Sequence, residues 1–168
     1  MERTRFVVIT GLPGTGKTTL ARQLSIRHGL PLICKDVIKE PLLDVLGSVA
    51  GSRTLSDASF AVMFSIAREL LALGGSLILE GNFRRGEHEA PVLAALPAQA
   101  PNIVQVLCQR DEAERRAVLL GRANEAHRHP GHDDASQLVP APECDAFLEL
   151  PGERRRYQVG SDSCETLL

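Results

Sequence analysis

The sequence predicts an α/β fold in which helices cover both faces of a parallel sheet. Short strand-like runs alternate along the chain with helical stretches, a pattern typical of parallel strands joined by crossover helices. A glycine-rich segment lies directly between the first run and the first helix. The 168 residues contain no repeat and no dividing linker, so we predict a single domain over residues 1–168. In such folds, ligands bind at the carboxyl ends of the strands.

Five runs are predicted to form the strands, and the helices lie between them. The strands are predicted at residues 5–10, 31–34, 76–80, 102–108 and 155–159. The helices are predicted at residues 17–29, from 36 onward, from an N-cap at Ser56 to about 73, briefly within 86–99, and from Asp111 to about 121. Pro41 is predicted to limit or kink the second of these helices. Residues 47–54 are predicted to form a loop.

The composition narrows the possible partners. A formal net charge of -2, a pI near 6.2 and an aromatic content of 4% disfavour a nucleic-acid partner, which usually needs a basic surface and stacking rings. No apolar run is long enough to cross a membrane, and the first residues do not resemble a secretory signal, so we expect a cytoplasmic protein. The four cysteines lack zinc or redox spacing and are expected to be reduced thiols.

The segment GLPGTGKT, residues 11–18, matches the pattern G-x-x-x-x-G-K-[ST] in full. Glycines allow backbone amides to curl around an anion, and the following helix directs its positive end at phosphate. Lys17 is predicted to reach the β- and γ-phosphates of a nucleoside triphosphate, and Thr18 to ligate Mg²⁺. The predicted nucleotide-binding residues are Gly11, Leu12, Pro13, Gly14, Thr15, Gly16, Lys17, Thr18 and Thr19.

Two other classes of nucleotide-binding protein fit less well than a small phosphotransferase. A GTPase should carry an [NT]-K-x-D element, but none of the three lysines stands in such a setting. A motor or oligomeric ATPase usually ends a strand with paired acids, whereas the run LILEG has only Glu80. The sequence therefore favours a small phosphotransferase.

Asp36 directly follows the second predicted strand, which would place its carboxylate near the γ-phosphate crevice. A carboxylate there can accept the proton of an attacking hydroxyl and orient it. Lys39 follows one helical turn later and could neutralise charge on the substrate or on the γ-phosphate. The alternative is that Asp36 only caps a helix and that Lys39 is solvated. Lys35 is expected to be exposed.

The chain resembles the small P-loop kinases, a group that includes polynucleotide 5′-hydroxyl kinases, chloramphenicol phosphotransferase and zeta-toxin-type kinases. The resemblance covers roughly residues 5–135 and rests on four segments, GLPGTGKTTLA, KDVIK, LILEGNFRR and VLCQRDEAERR…RHPGH. It implies a sheet order of 2-3-1-4-5, the cofactors ATP and Mg²⁺, and phosphorylation of an alcohol.

The resemblance also implies roles for individual residues. Asp36 matches the general base, and Glu80 matches an acid near the water shell of the metal. Lys39 stands where polynucleotide kinases carry an arginine. The substrate-binding residues implied or suggested by position are Asp36, Lys39, Asn82, Arg84 and Arg85. For Arg84 and Arg85, the alternative is two solvated loop arginines, and Asn82 could serve only a turn.

These kinases carry a mobile lid whose arginines close over the triphosphate, here predicted at about residues 122–136. Arginine suits this role because its planar fork binds phosphate oxygens in pairs. Arg122 and Arg128 are the preferred catalytic lid cations. Arg115 and Arg116 lie mid-helix, and at least one of them is expected at the surface.

The segment HRHPGHDD, residues 127–134, could be a metal site, a lid tip that places His129 or His132 near the ligand, or simply exposed chain. A helix cannot continue through Pro130, and no nearby residue completes a known zinc spacing. The lid interpretation is therefore favoured over metal binding, and exposed chain remains an equal alternative to it.

The leading hypothesis is an ATP-dependent phosphotransferase that acts on a hydroxyl of a small molecule, such as a nucleoside, a sugar nucleotide or an antibiotic-like alcohol. The runner-up is a polynucleotide 5′-hydroxyl kinase. A regulatory module that binds ATP without transfer is the alternative of another class. The sequence does not specify the acceptor or the oligomeric state.

Overall fold

Five parallel strands form one sheet in a computed structural model that describes residues 4–47, 49–123, 129 and 138–168. The strand order is β2-β3-β1-β4-β5, which confirms the predicted order. The strands are β1 (Arg5–Thr10), β2 (Leu32–Cys34), β3 (Leu77–Glu80), β4 (Asn102–Gln109) and β5 (Glu153–Gln158). The predicted α/β class of the P-loop kinases is therefore confirmed.

Helices pack on both faces of this sheet. They are α1 (Lys17–His28), α2 (Lys35–Leu46), α3 (Ser52–Ala72), α4 (Glu89–Ala94) and α5 (Glu112–Ala123). Successive residues of β1 point to opposite faces, so Val7 enters the core beneath Leu20 and Leu24 of α1. Val8 enters the opposite core, with Met63 of α3. This two-sided burial explains why β1 is continuously apolar from Phe6 to Ile9.

Helix α2 continues through Pro41 to Leu46, so of the two predicted alternatives, that this proline limits the helix or kinks it, the first is wrong. A proline in a helix removes the hydrogen bond to the carbonyl four residues earlier, which here belongs to Val37. Val37 is 61% exposed, so water can satisfy that carbonyl. The proline therefore lies on a side of the helix where its cost is low.

Helix α3 begins at Ser52, four residues before the predicted N-cap at Ser56. The prediction of a loop through residue 54 is therefore wrong. Leu55 is buried, and its amide donates to the carbonyl of Gly51 at 3.1 Å. Burial of this one leucine stabilises a first turn whose local sequence is polar.

The last residues of the chain pack against α1. After β5, a short 3-10 turn covers Cys164–Thr166, and Leu167 is buried in the core beside α1. Arg27 of α1 donates to Glu165 at 3.2 Å. None of the helices in the described part of the chain is long and apolar enough to span a membrane.

All four cysteines are free thiols, as expected from their spacing. Cys34, Cys108 and Cys144 are buried, and Cys164 is partly exposed. Burial raises the pKa of Cys34 to about 12 and that of Cys108 to about 11. Both thiols are therefore protonated and unreactive at neutral pH.

Candidate active site

The glycine-rich segment forms a loop between β1 and α1, at the carboxyl edge of the sheet. At Gly11, with a φ of 145°, an added Cβ would lie 2.3 Å from the Cys108 carbonyl oxygen. At Gly14, with a φ of 86°, it would lie 3.1 Å from atoms of Arg115 and Leu119. Glycine is required at both positions because the neighbouring strand and α5 pack directly on the loop.

Hydrogen bonds within the loop hold its shape. The Thr15 hydroxyl donates to the Leu12 carbonyl at 2.8 Å, and Lys17 Nζ donates to the same oxygen at 3.3 Å. The Cys108 thiol donates to the Thr15 carbonyl at 3.0 Å. Thr15 is buried, so its side chain stabilises the loop, whereas Thr19 is exposed on α1. Lys17 therefore lies folded over the loop, where it can contact a bound phosphate.

Thr18 and Glu80, the two residues predicted to serve Mg²⁺, contact each other. The Thr18 hydroxyl donates to Glu80 Oε2 at 3.2 Å. Glu80 ends β3, is 4% exposed, and has its pKa raised mainly by burial, although the charge of Lys17 opposes this shift. A hydroxyl beside a buried carboxylate is a set of hard oxygen donors, which fits Mg²⁺.

Asp36 lies in the first turn of α2, not at its N-cap, which is Cys34. The alternative that Asp36 only caps the helix is therefore wrong. Its carboxylate is about half exposed and lies 3.6 Å from Lys35 Nζ. The negative charge of Asp36 contributes to the raised pKa of Glu80, because it disfavours the ionised form of that carboxyl group. Asp36 thus lies at the crevice beside the predicted metal residues, and its role as a base remains a prediction.

Lys35 and Lys39 are both buried, so the expectation that Lys35 is exposed and the alternative that Lys39 is solvated are wrong. The stem of Lys35 packs so closely over Gly81 that a Cβ on that glycine would lie 3.2 Å from the Lys35 Cβ. The Lys35 ammonium lies 5.7 Å from the centre of the Phe60 ring. Lys39 Nζ donates to the Ser52 hydroxyl at 3.3 Å.

The structure separates Arg84 from Arg85. Arg84 is partly buried, its Nη1 lies 3.7 Å from Glu87 Oε2, and its charge lowers the pKa of the Cys144 thiol against the larger effect of burial. Arg85 pairs with Glu149 at the surface, and Glu149 also binds Arg154 near the amino end of β5. Arg85 therefore lies away from the other predicted site residues.

Asn82 lies partly buried in the loop after β3. Its carbonyl accepts the Cys144 thiol at 3.8 Å, which ties this loop to the 3-10 turn at Pro142–Cys144. The backbone of Asn82 therefore has a structural role, whatever its side chain binds.

Most of the predicted lid, residues 122–136, lies outside the described residues. Arg122 lies in the last turn of α5 and is partly exposed, whereas Arg128 lies outside the described residues. Of the histidine-rich segment, the structure describes only His129, whose Nε2 lies 3.0 Å from Asp44 Oδ1 on α2. Within the described ranges, no group of three or more His, Cys, Asp or Glu side chains could hold a metal ion.

Arg115 is a support of the P-loop that the sequence analysis missed. It is fully buried, and its guanidinium donates to the Pro13 carbonyl at 3.1 Å and to the Leu138 carbonyl at 3.0 Å. The same group donates to both carboxylate oxygens of Glu112, at 2.7 and 2.9 Å. Arg116 is exposed, so the expectation that one of the two lies at the surface is confirmed. No sequence signal distinguishes the two arginines beyond helical phase.

Arg110 was also missed, although its position directly after a central strand is a signal for a ligand-binding residue. A Cβ added to Gly16 would lie 3.5 Å from Arg110 Nη2, so the guanidinium borders the P-loop. Its Nε is buried and makes no hydrogen bond within the described part of the protein. Arg110 therefore adds positive charge beside the predicted phosphate site.

Comparison with known proteins is consistent with this geometry. A family model described as an AAA domain, AAA_33, matches residues 6–139, which include the P-loop and the Asp36 crevice. A shikimate kinase from Paracidovorax citrulli (strain AAC00-1) is 26% identical over 152 residues, which cover 80% of this chain and 81% of that protein.

Two solved structures share the fold. A protein from Chloroflexus aurantiacus J-10-fl, described as a candidate kinase, is 29% identical with a TM-score of 0.81, over 94% of this chain and 89% of that one. A sugar kinase from Janibacter sp. HTCC2649 is 19% identical with a TM-score of 0.64, over 98% of this chain and 90% of that one. At that identity, the second likeness shows the fold alone.

Proposed function

The chain belongs to the AAA_33 family, within the small P-loop kinases, and we propose that it transfers the γ-phosphate of ATP to a hydroxyl of a small molecule. One observation carries the proposal. Lys17, the Thr18–Glu80 pair and Asp36 meet at one edge of the sheet, where their charges interact. A module that only bound ATP would not need a carboxylate directly beside the metal and phosphate residues.

Each residue has a defined task in this reaction. The P-loop amides and Lys17 hold the phosphates, and Thr18 would hold Mg²⁺, with Glu80 contacting it through water. Mg²⁺ would neutralise the charge that develops on the phosphoryl oxygens. Asp36 accepts the proton of the acceptor hydroxyl and aligns its oxygen with the phosphorus. Since the transition state is loose, the alignment contributes more than the strength of the base.

Residues around the crevice support transfer over hydrolysis. Arg110 and Arg122 are candidate cations for the triphosphate, because arginine keeps its charge and binds phosphate oxygens in pairs. His129 contacts Asp44 on α2, the helix that also carries Asp36. Closure of the lid predicted at about residues 122–136 would exclude the water that otherwise competes with the alcohol.

A small acceptor is favoured over a polynucleotide. The net charge of -2 and the pI near 6.2 do not favour binding of a long anionic chain. The relative named as a shikimate kinase points in the same direction.

The proposal is tested with labelled ATP, Mg²⁺, a metabolite extract and a 5′-hydroxyl oligonucleotide. Lys17→Ala is expected to lose ATP binding, whereas Asp36→Asn should bind ATP normally and lose transfer by about 10²-fold or more. Glu69→Gln, an exposed carboxylate on α3, is the matched control and should retain full activity. Full transfer by Asp36→Asn would refute the base assignment. Labelling of the oligonucleotide alone would replace the small acceptor with a polynucleotide.

A further inference from the structure

Lys35 is a buried cation next to the carboxylate that is proposed to act as the base. It is the first residue of α2, directly before Asp36, and it is 6% exposed. Its stem packs over Gly81, where an added Cβ would lie 3.2 Å from the Lys35 Cβ. A lysine is rarely buried, because its charged end loses the water that solvates it. In the proposed reaction the phosphates, Mg²⁺ and the acceptor hydroxyl have other partners, so Lys35 has no assigned task there.

An aromatic cluster holds the ammonium end of Lys35. The Lys35 Nζ lies 5.7 Å from the centre of the Phe60 ring. This ring is buried, and the ring centres of His88, Phe83 and Phe64 lie 4.1, 5.4 and 5.9 Å from its own. An ammonium is attracted to an aromatic face, and the attraction is larger where water is excluded. Phe60 is therefore a fixed surface against which the end of the lysine packs.

The ammonium of Lys35 pairs with the carboxylate of Asp36. Its Nζ lies 3.6 Å from Asp36 Oδ1, and among the described residues Asp36 is the one carboxylate that forms an ion pair with it. Burial lowers the pKa of Lys35, the charge of Asp36 opposes this shift, and the charges of Lys39 and Lys17 add to it. Asp36 therefore favours the charged form of the buried lysine, and the same attraction draws the Asp36 carboxylate towards the ammonium.

Packing from other elements produces this contact between two adjacent residues. Neighbours in a helix do not usually face each other, since their side chains are rotated by about 100° about the axis. The path of the long Lys35 stem is set by its tight packing over Gly81, in the loop after β3, and by the Phe60 ring of α3. The tertiary fold, and not α2 alone, therefore brings the ammonium to the carboxylate.

The proposed reaction requires a defined orientation of the Asp36 carboxylate. The acceptor oxygen bonds to the γ-phosphorus, the bond from that phosphorus to the bridging oxygen of ADP breaks, and the hydroxyl proton moves to Asp36. Small errors in the alignment of the reacting groups are costly to the rate. The Asp36 side chain is about half exposed, so burial alone does not restrict its rotation. A fixed charge beside it can supply that restriction.

We propose that Lys35 is a positioning residue for Asp36: its ammonium, supported by Phe60, holds the carboxylate in the orientation that accepts the hydroxyl proton. The inference rests on the proposed function, because that function assigns Asp36 as the base. Lys35 itself contacts neither the acceptor nor the phosphates. It therefore acts on the rate of transfer and not on the affinity for either substrate.

The first experiment measures the kinetics of Lys35→Met, which keeps the apolar stem and removes the charge. Its kcat should fall by about tenfold or more, while the KM values for ATP and for the acceptor stay within about threefold of wild type. Lys35→Arg keeps the charge and can lie on the Phe60 ring, so it should recover part of the lost kcat. Arg68→Met removes an exposed cation on α3, and this matched control should retain the wild-type kcat.

Combination with Asp36→Asn separates positioning from a structural role. If Lys35 acts through the carboxylate, Lys35→Met should lower the kcat of Asp36→Asn by less than about twofold, because the group that it positions is already removed. A structural role would lower the kcat of wild type and of Asp36→Asn by the same factor. Equal factors would overturn the inference. A higher KM for the acceptor at an unchanged kcat would also overturn it, since Lys35 would then bind substrate.

A spectroscopic measurement tests the same contact without turnover. The NMR signal of the Asp36 carboxyl carbon is identified as the one that Asp36→Asn removes. Lys35→Met should shift this signal, and Arg68→Met should leave it in place. If Lys35→Met does not fold, Lys35→Gln, which keeps a polar end without the charge, replaces it in every measurement. If no alcohol is phosphorylated, the proposed function fails, and the NMR signal alone decides whether Lys35 holds Asp36. An unchanged signal would overturn the inference.

Discussion

Replacing Arg115 with methionine should destabilise the protein by removing the buried guanidinium that joins α5 to the P-loop. Methionine retains the apolar stem, so the loss falls mainly on the hydrogen bonds. The carbonyls of Pro13 and Leu138 each lose a charged donor, at 3.1 and 3.0 Å. Such bonds contribute about 1.5–3 kcal/mol each, and since one group makes both, we expect a total loss of about 3 kcal/mol. The Glu112 side chain is about half exposed, so water can replace its partner at little cost.

The assays are urea unfolding, which gives the free energy, and thermal unfolding, each with and without ATP. A loss of about 3 kcal/mol corresponds to a fall in the melting temperature of roughly 6–12 °C for a chain of this size. ATP affinity should also fall, because the loop is no longer held in its binding shape. Arg115→Lys should lie between methionine and wild type, since a single ammonium cannot reach all three partners.

Arg116→Met on the same helix is the control, because Arg116 is exposed. Its stability should stay within about 0.5 kcal/mol of wild type. If Arg115→Met is no less stable than this control, the buried network does not support the loop and the reasoning is refuted.

Three further predictions follow from the site and its surroundings. Burial raises the pKa of the Glu80 carboxyl group in the folded state. The folded protein therefore loses stability as the pH rises from the unfolded pKa of this group through its folded pKa. Glu80→Gln should therefore raise the urea midpoint at pH 7 and weaken Mg²⁺-dependent turnover, and an unchanged midpoint would contradict this. Burial lowers the pKa of His88, which packs 4.1 Å from the Phe60 ring. Neutral His88 stabilises the folded protein above the unfolded pKa of about 6.5, and this contribution is lost as the pH falls through the folded pKa. The urea midpoint of His88→Phe should therefore depend less on pH between 7 and 5 than that of the wild type. Gly14→Ala should cost about 1–3 kcal/mol more than Gly29→Ala in unfolding free energy, because only the first would contact Arg115 and Leu119. Equal losses would show that only the positive φ matters.

The P-loop could be predicted from the sequence because its chemistry is local. Eight consecutive positions specify the turn, the helix start and the cation, and no distant residue is needed to recognise them. The positions of Asp36 and Glu80 followed from the strands, because the carboxyl ends of parallel strands meet at one edge. The Thr18–Glu80 hydrogen bond and the effect of the Asp36 charge on Glu80 agree with that expectation.

The burial of individual charged residues could not be predicted in the same way. Lys35 and Asp36 are adjacent and both polar, yet one is buried and the other is about half exposed. Arg115 and Arg116 differ likewise. Successive side chains of a helix are rotated by about 100° about its axis, so two neighbours point in different directions. An error of one residue in a predicted helix boundary therefore reverses which of the two is predicted to be buried. The early start of α3 had a similar cause, since it depends on the burial of Leu55 in the folded protein.

The sequence by itself determined the α/β class, the phosphate loop and the carboxylates at the ends of two strands. Each of these depends on periodicity or on spacing along the chain. Only the tertiary structure decided that Arg115 supports the loop and that Lys35 and Lys39 are buried together near Asp36. Those features arise where α2, α3 and α5 pack against the sheet, and burial of a charge depends on the atoms that surround it from other parts of the chain.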